Sequence, residues 1–94
     1  MTLRWTEIAV QHLAAAHAYV AEDNPTEADN LLDRLLSAAE ILAKHPHAGR
    51  AGRVPKTREL VVAGTPTLIV YHLDPEEVTI LAVFHGSRKW PEAF

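Results

Sequence analysis

Apolar positions change period twice along this chain. Leu3 and Trp5 suit a short first strand over residues 2 to 5. Thr6 then offers an N-cap hydroxyl. After it Ile8, Ala9, His12, Leu13, Ala16, Tyr19 and Val20 recur at three- and four-residue spacing, which predicts one face of a helix ending near Glu22 or Asp23. Asn24-Pro25-Thr26-Glu27 restarts a helix, with Asn24 as cap, Pro25 at the first helical position and Glu27 where a capping-box carboxylate belongs. Ala28, Leu31, Leu32, Leu35, Leu36, Ala39 and Leu42 form its apolar stripe; Lys44 and His45 suit its C-terminal end, and Pro46 stops it. So short a connection folds the two helices into an antiparallel hairpin.

Residues 46 to 56 read as a loop, and from Arg58 the period becomes two. Strands are expected over 58–62, 67–73 and 78–85, separated by the turns Ala63-Gly64-Thr65-Pro66 and Asp74-Pro75-Glu76-Glu77. Connections this short predict a three-stranded antiparallel meander. The fold class is α+β, in the order β-α-α-β-β-β, with the helical hairpin on one face of the sheet. The runs Leu68-Ile69-Val70 and Ile80-Leu81-Ala82-Val83-Phe84 are apolar on both faces, so the second face should be partly covered, concave, or bound by a partner.

With 94 residues the chain is a single domain, 1–94. There is no apolar run long enough to span a membrane and no pattern of a secretory leader at the start, so the expected location is the cytoplasm. Cysteine is absent, which excludes disulfides and thiolate chemistry. The net charge of −3 argues against a general nucleic-acid binder. Its distribution is uneven. Residues 1 to 45 carry three basic and seven acidic side chains, whereas Arg50, Arg53, Lys56 and Arg58 follow one another with no acid between them. Such a run is commonly just solvated, but it can also engage an anionic partner through bidentate guanidinium contacts.

A second candidate region is the exit of the last strand. His85 could serve there as acid or base and Arg88 could stabilise a phosphate, with Trp90 nearby. The plainer alternative is that His85 orders the strand end and Trp90 caps the core. Tyr71 shares a strand face with Thr67, Ile69 and Leu73, and a central-strand tyrosine is more often a satisfied core residue than a catalyst. Histidine spacings offer no metal site, and no metal or cofactor is expected.

Several blocks together carry a family resemblance: Gly49-Arg50-x-Gly52-Arg53-Val54-Pro55-x-Thr57-Arg58-Glu59-Leu60-Val61-Val62, then Ile69-Val70-Tyr71, then Val83-Phe84-His85-Gly86-x-Arg88-x-Trp90-Pro91. Over nearly the whole chain they resemble the RelE/ParE superfamily of bacterial toxins. That resemblance implies the toxin of a type II toxin–antitoxin pair, neutralised by a small antitoxin whose acidic, amphipathic segment folds on the toxin surface. Operator binding would reside in the antitoxin, so no sequence-specific DNA contact is expected here. RelE-like members cleave messenger RNA on the ribosome, and a nuclease reading would make Arg58, His85 and Arg88 catalytic. ParE-like members inhibit DNA gyrase instead. Thr65-Pro66-Thr67-Leu68 stands where nuclease members tend to carry an arginine, no tyrosine follows Arg88, and the chain stops at Phe94 without a long C-terminal helix. A pI near 6.0 is also low for a protein that works on ribosomal phosphate. The blocks read closer to ParE, with Arg50, Arg53, Lys56, Arg58, Tyr71, His85, Arg88 and Trp90 as antitoxin- or target-binding residues.

Overall fold

The computed structural model describes residues 1–86. Seven elements follow in order: β1 (Thr2–Trp5), α1 (Glu7–Ala21), α2 (Pro25–Lys44), β2 (Arg50–Ala51), β3 (Thr57–Val62), β4 (Thr67–Leu73) and β5 (Glu77–His85). Arg88 and Trp90 lie outside the described residues.

Both helices begin on the caps that the sequence supplies. Thr6 Oγ1 accepts the Ala9 N–H at 3.1 Å, and Asn24 Oδ1 accepts the Glu27 N–H at 3.1 Å. Thr6 also ties its helix to the sheet. Its hydroxyl donates to the Leu81 carbonyl at 3.3 Å and its N–H to the Ile80 carbonyl at 3.1 Å.

The α+β class and the antiparallel run β3–β4–β5 are as expected from the pattern. Two features go beyond it. The sheet has five strands in the order β1-β5-β4-β3-β2. β1 lies parallel to β5, from Thr2↔Glu77 to Trp5↔Ile80. Inside what reads as a plain loop, β2 pairs antiparallel with β3 at Arg50↔Glu59 and Ala51↔Arg58.

β5 carries a bulge. Val70 faces Ala82 and Tyr71 faces Ile80, so Leu81 has no opposite residue on β4. The extra residue resets the alternation, and Ile80 and Val83 both reach the helix side. There they join Leu31, Leu35, Leu42, Val62, Ile69, Tyr71 and Val78 in the main core. Val70, Ala82 and Phe84 form a second buried cluster on the opposite face, which is therefore partly buried, while Val61 on β3 stays exposed.

The phase of α1 departs from the expected one. Ala9 and Ala16 are buried, whereas Ile8 and Tyr19 are exposed. Between Ile8 and Ala21 the helix has no acidic or basic residue apart from two histidines, so its pattern is apolar nearly all round and fixes the inward face poorly. Small alanines win the inward positions because they admit close approach to β5. His12 reaches past them, and its Nδ1 accepts the Val83 N–H at 3.2 Å along the stretch of β5 beyond β1. No described helix is long and apolar enough to cross a membrane.

Candidate functional site: a cationic loop folded around the sheet edge

The segment from Pro46 to Thr57 straddles the outer edge of the sheet, and side chains of β3 and β4 hold it from both faces. Tyr71 is fully buried on the helix side. Its hydroxyl donates to the Pro46 carbonyl at 2.7 Å and accepts the Gly49 N–H at 3.0 Å. Arg58, the cross-strand neighbour of Tyr71, donates from one guanidinium nitrogen to the carbonyls of His47 (3.3 Å) and Gly49. Its Nε is buried without a partner among the described residues.

Glu59 points to the other face, beside Val70. Only 1% of its side chain is exposed. One carboxylate oxygen accepts the Arg53 N–H at 2.8 Å, and the other faces the Arg50 guanidinium at 3.4 Å. Between these anchors the chain makes a tight reversal. Gly52 donates to the Thr57 carbonyl at 2.8 Å, and Thr57 donates to the Val54 carbonyl through both its N–H (3.1 Å) and its hydroxyl (2.7 Å). Lys56 takes a left-handed conformation, φ 67°, at the corner.

Glycine is required at two points of this loop. A Cβ on Gly49 would lie 2.6 Å from the Tyr71 hydroxyl oxygen and 2.7 Å from the Glu59 carbonyl oxygen. A Cβ on Gly52 would lie 2.2 Å from Thr57 Oγ1. The glycines of the Gly49-Arg50-x-Gly52 block therefore have a packing cause.

The basic run separates into two kinds of residue. Arg50, Arg53 and Lys56 are exposed on the loop. Arg58 is half-buried beneath it and bonded to main-chain oxygens, and Tyr71 has its hydroxyl occupied. His85 lies elsewhere. It pairs across the sheet with Thr67, whereas Arg58 pairs with Tyr71, four residues further along β4. That separation is about 13 Å at ~3.3 Å per residue. His85 Nδ1 is 2.9 Å from Thr67 Oγ1, and its ring meets Tyr19 edge-on with centroids 6.4 Å apart. It lines a cavity of about 610 Å³ with Val20, Glu27, Arg34 and Pro66. Arg58 and His85 thus do not converge on one point.

Sequence reasoning missed Glu59. Alternation signals only that it faces away from Arg58; nothing local says that this carboxylate is buried. It also missed a groove of about 470 Å³ between α2 and β3, lined by Arg34, Ala38, Ile41, Leu60, Val61 and Val62. Ile41 and Val61 are more than half exposed there. β2 covers β3 only at Arg58 and Glu59, so beyond Glu59 no described strand lies on that side.

Residues 3–90 match the family described as the ParE toxin of the type II toxin–antitoxin system, parDE. Y4kP of Sinorhizobium fredii is 39% identical over 90 residues, covering 96% of this chain and 93% of that one. Toxin RelE2 of Caulobacter vibrioides is 34% identical over 84 residues, covering 89% and 93%. A chain of the chromosomal ParDE TA system from P. aeruginosa superimposes with a TM-score of 0.79 at 26% identity, covering 90% of this chain and 95% of that one. With the family match spanning nearly the whole chain and a relative at 39% identity over almost its full length, the chain belongs to the ParE toxin family of type II toxin–antitoxin systems.

Proposed function

We propose that this toxin acts by binding, as an inhibitor of DNA gyrase, and not by cutting RNA. The observation that carries the reading is the engagement of Arg58. Its guanidinium is committed to the carbonyls of His47 and Gly49, about four strand residues from His85. A phosphate-cleaving site needs its charge stabiliser and its acid or base within hydrogen-bond reach of one reacting group. The exposed Arg50, Arg53 and Lys56 instead suit contact with an anionic surface of the target.

The test is a supercoiling reaction with purified toxin, DNA gyrase, ATP and relaxed plasmid. Blocked supercoiling with trapped cleaved DNA is expected, reversed by antitoxin. A folded toxin that arrests growth but leaves gyrase untouched would overturn the reading in favour of ribosome-dependent RNA cleavage.

The partner in the cell is an antitoxin encoded with the toxin, in keeping with the ParDE TA system that the fold resembles. The groove between α2 and β3 suits its amphipathic segment, with Ile41 and Val61 meeting the apolar side and Arg34 at the rim meeting an acid. Val61→Asp places a charge in that apolar contact, and antitoxin affinity should fall at least ~10-fold. Because Val61 is 57% exposed, the melting temperature should stay within a few degrees. Titration calorimetry with the purified antitoxin checks this, and an unchanged affinity would place the antitoxin elsewhere.

A further inference from the structure

The charge on Glu59 has no evident reason in packing terms. Its β4 neighbour is Val70, which is fully buried beside Ala82 and Phe84, and an apolar side chain would suit such a site. A buried carboxylate is costly unless it is paired and hydrogen-bonded. Here the partners are both on the cationic loop: the main chain of Arg53 at 2.8 Å and the guanidinium of Arg50 at 3.4 Å. The β2–β3 pairing at Arg50↔Glu59 and Ala51↔Arg58 and the Gly52 N–H bond to the Thr57 carbonyl hold the main chain up to Gly52 against β3, but they leave the Arg50 side chain and the backbone at Arg53 unaimed. Tyr71 and Arg58 hold only the first part of the loop, from Pro46 to Gly49.

We infer that Glu59 is a positioning residue for target recognition: on a stretch whose main chain the β2–β3 pairing already holds to the sheet, it orients the Arg50 guanidinium and anchors the backbone at Arg53, so that the loop meets an anionic patch of the target in a preset geometry. This inference deepens the reading that the cationic loop contacts the target, and it holds whichever target that is. A ligand-binding loop ordered in advance loses less freedom on binding. If loosening leaves one molecule in ten with the loop in place, apparent affinity falls about tenfold.

The experiment is a double-mutant cycle in cells, reading the toxin level needed to arrest growth. It compares wild type, Glu59→Gln, the pair Arg50→Ala with Arg53→Ala, and all three changes together. Glu59→Gln is expected to raise the required level about tenfold on the wild-type loop and to add nothing on the loop that lacks both arginines, because a residue acting only through them has no effect once they are gone. Amide exchange at Arg53 should speed up in Glu59→Gln. Glu59→Asp, which keeps the charge and withdraws the carboxylate by one methylene, should repeat the pattern if the glutamine variant folds poorly.

Equal losses on both loops would make Glu59 merely a stabilising residue and overturn the inference. So would full potency of Glu59→Gln beside an impaired arginine pair, which leaves the loop reading standing. Full potency of the arginine pair itself would overturn both the loop reading and the role of Glu59. The gyrase reaction, which tests the target, is independent of all three results.

Discussion

Gly49→Ala should cost about 3 kcal/mol, at the upper end of what overpacking a close-packed site does. The added methyl would meet the Tyr71 hydroxyl oxygen at 2.6 Å, the Glu59 carbonyl oxygen at 2.7 Å and Tyr71 Cε1 at 2.8 Å. None of these can give way easily. Tyr71 is fully buried and Glu59 is locked in the β3 ladder between Arg50 and Val70. The loop must therefore lift, which breaks the Gly49 N–H bond to Tyr71. In a domain of this size the melting temperature should drop by roughly 15 °C. Adding Tyr71→Phe removes only the nearest of the three clashes, so the double variant should recover little. It also lacks an acceptor for a buried N–H, a loss of about 1–3 kcal/mol on its own. Thermal melts of the three proteins check this, and a Gly49→Ala melt within two degrees of wild type would contradict the close packing of loop on strand.

Arg58→Ala should destabilise the fold by about 2–3 kcal/mol, because hydrogen bonds from a charged donor to the His47 and Gly49 carbonyls are lost. Growth arrest should weaken in step with the folded fraction. Arg58→Lys should restore only part of the loss: both carbonyls are held by a single nitrogen, which an ammonium can replace as donor, but an ammonium is more strongly hydrated than a guanidinium and costs more to half-bury. A catalytic arginine gives the opposite signature: a loss of ~100-fold or more in activity with the melt unchanged. Melting curves and toxicity measured on the same variants separate the two cases.

The parts of this structure that were legible in the sequence are those decided within a few residues. Thr6 and Asn24 cap the helices where the pattern places them, and the two tight turns bring β3, β4 and β5 together as the expected antiparallel run, though nothing in the pattern foretells the bulge on β5. What was not legible depends on distant partners. Two residues of β2 carry no period to detect. The place of β1 is set by pairing with residues 77 to 80, which its own four residues cannot announce. Tyr19 was misplaced because an uncharged helix offers no polar side to fix its rotation. In the loop, the run of positive charge could be read directly, but its division could not. Whether an arginine faces solvent or grips a carbonyl depends on where the preceding ten residues turn, and that is settled by Tyr71 and Glu59 from other strands or the other face.

The position of β5 bears on when the toxin acquires its form during synthesis. β5 lies between β1 and β4, yet it follows every other described element in the chain. A nascent chain that has emerged only as far as β4 has the helical hairpin and the β3–β4 pair, but not the strand that joins β1 to them. Closing Thr2 onto Glu77 spans most of the protein, and such non-local pairing is slow because chain entropy is lost before contacts repay it. The waiting chain exposes apolar surface on both α1 and β4, the kind of surface that collects partners or aggregates. Assembly of the sheet is thus a late, nearly all-or-none event, and any partner that recognises the assembled sheet can engage the chain only once β5 has joined.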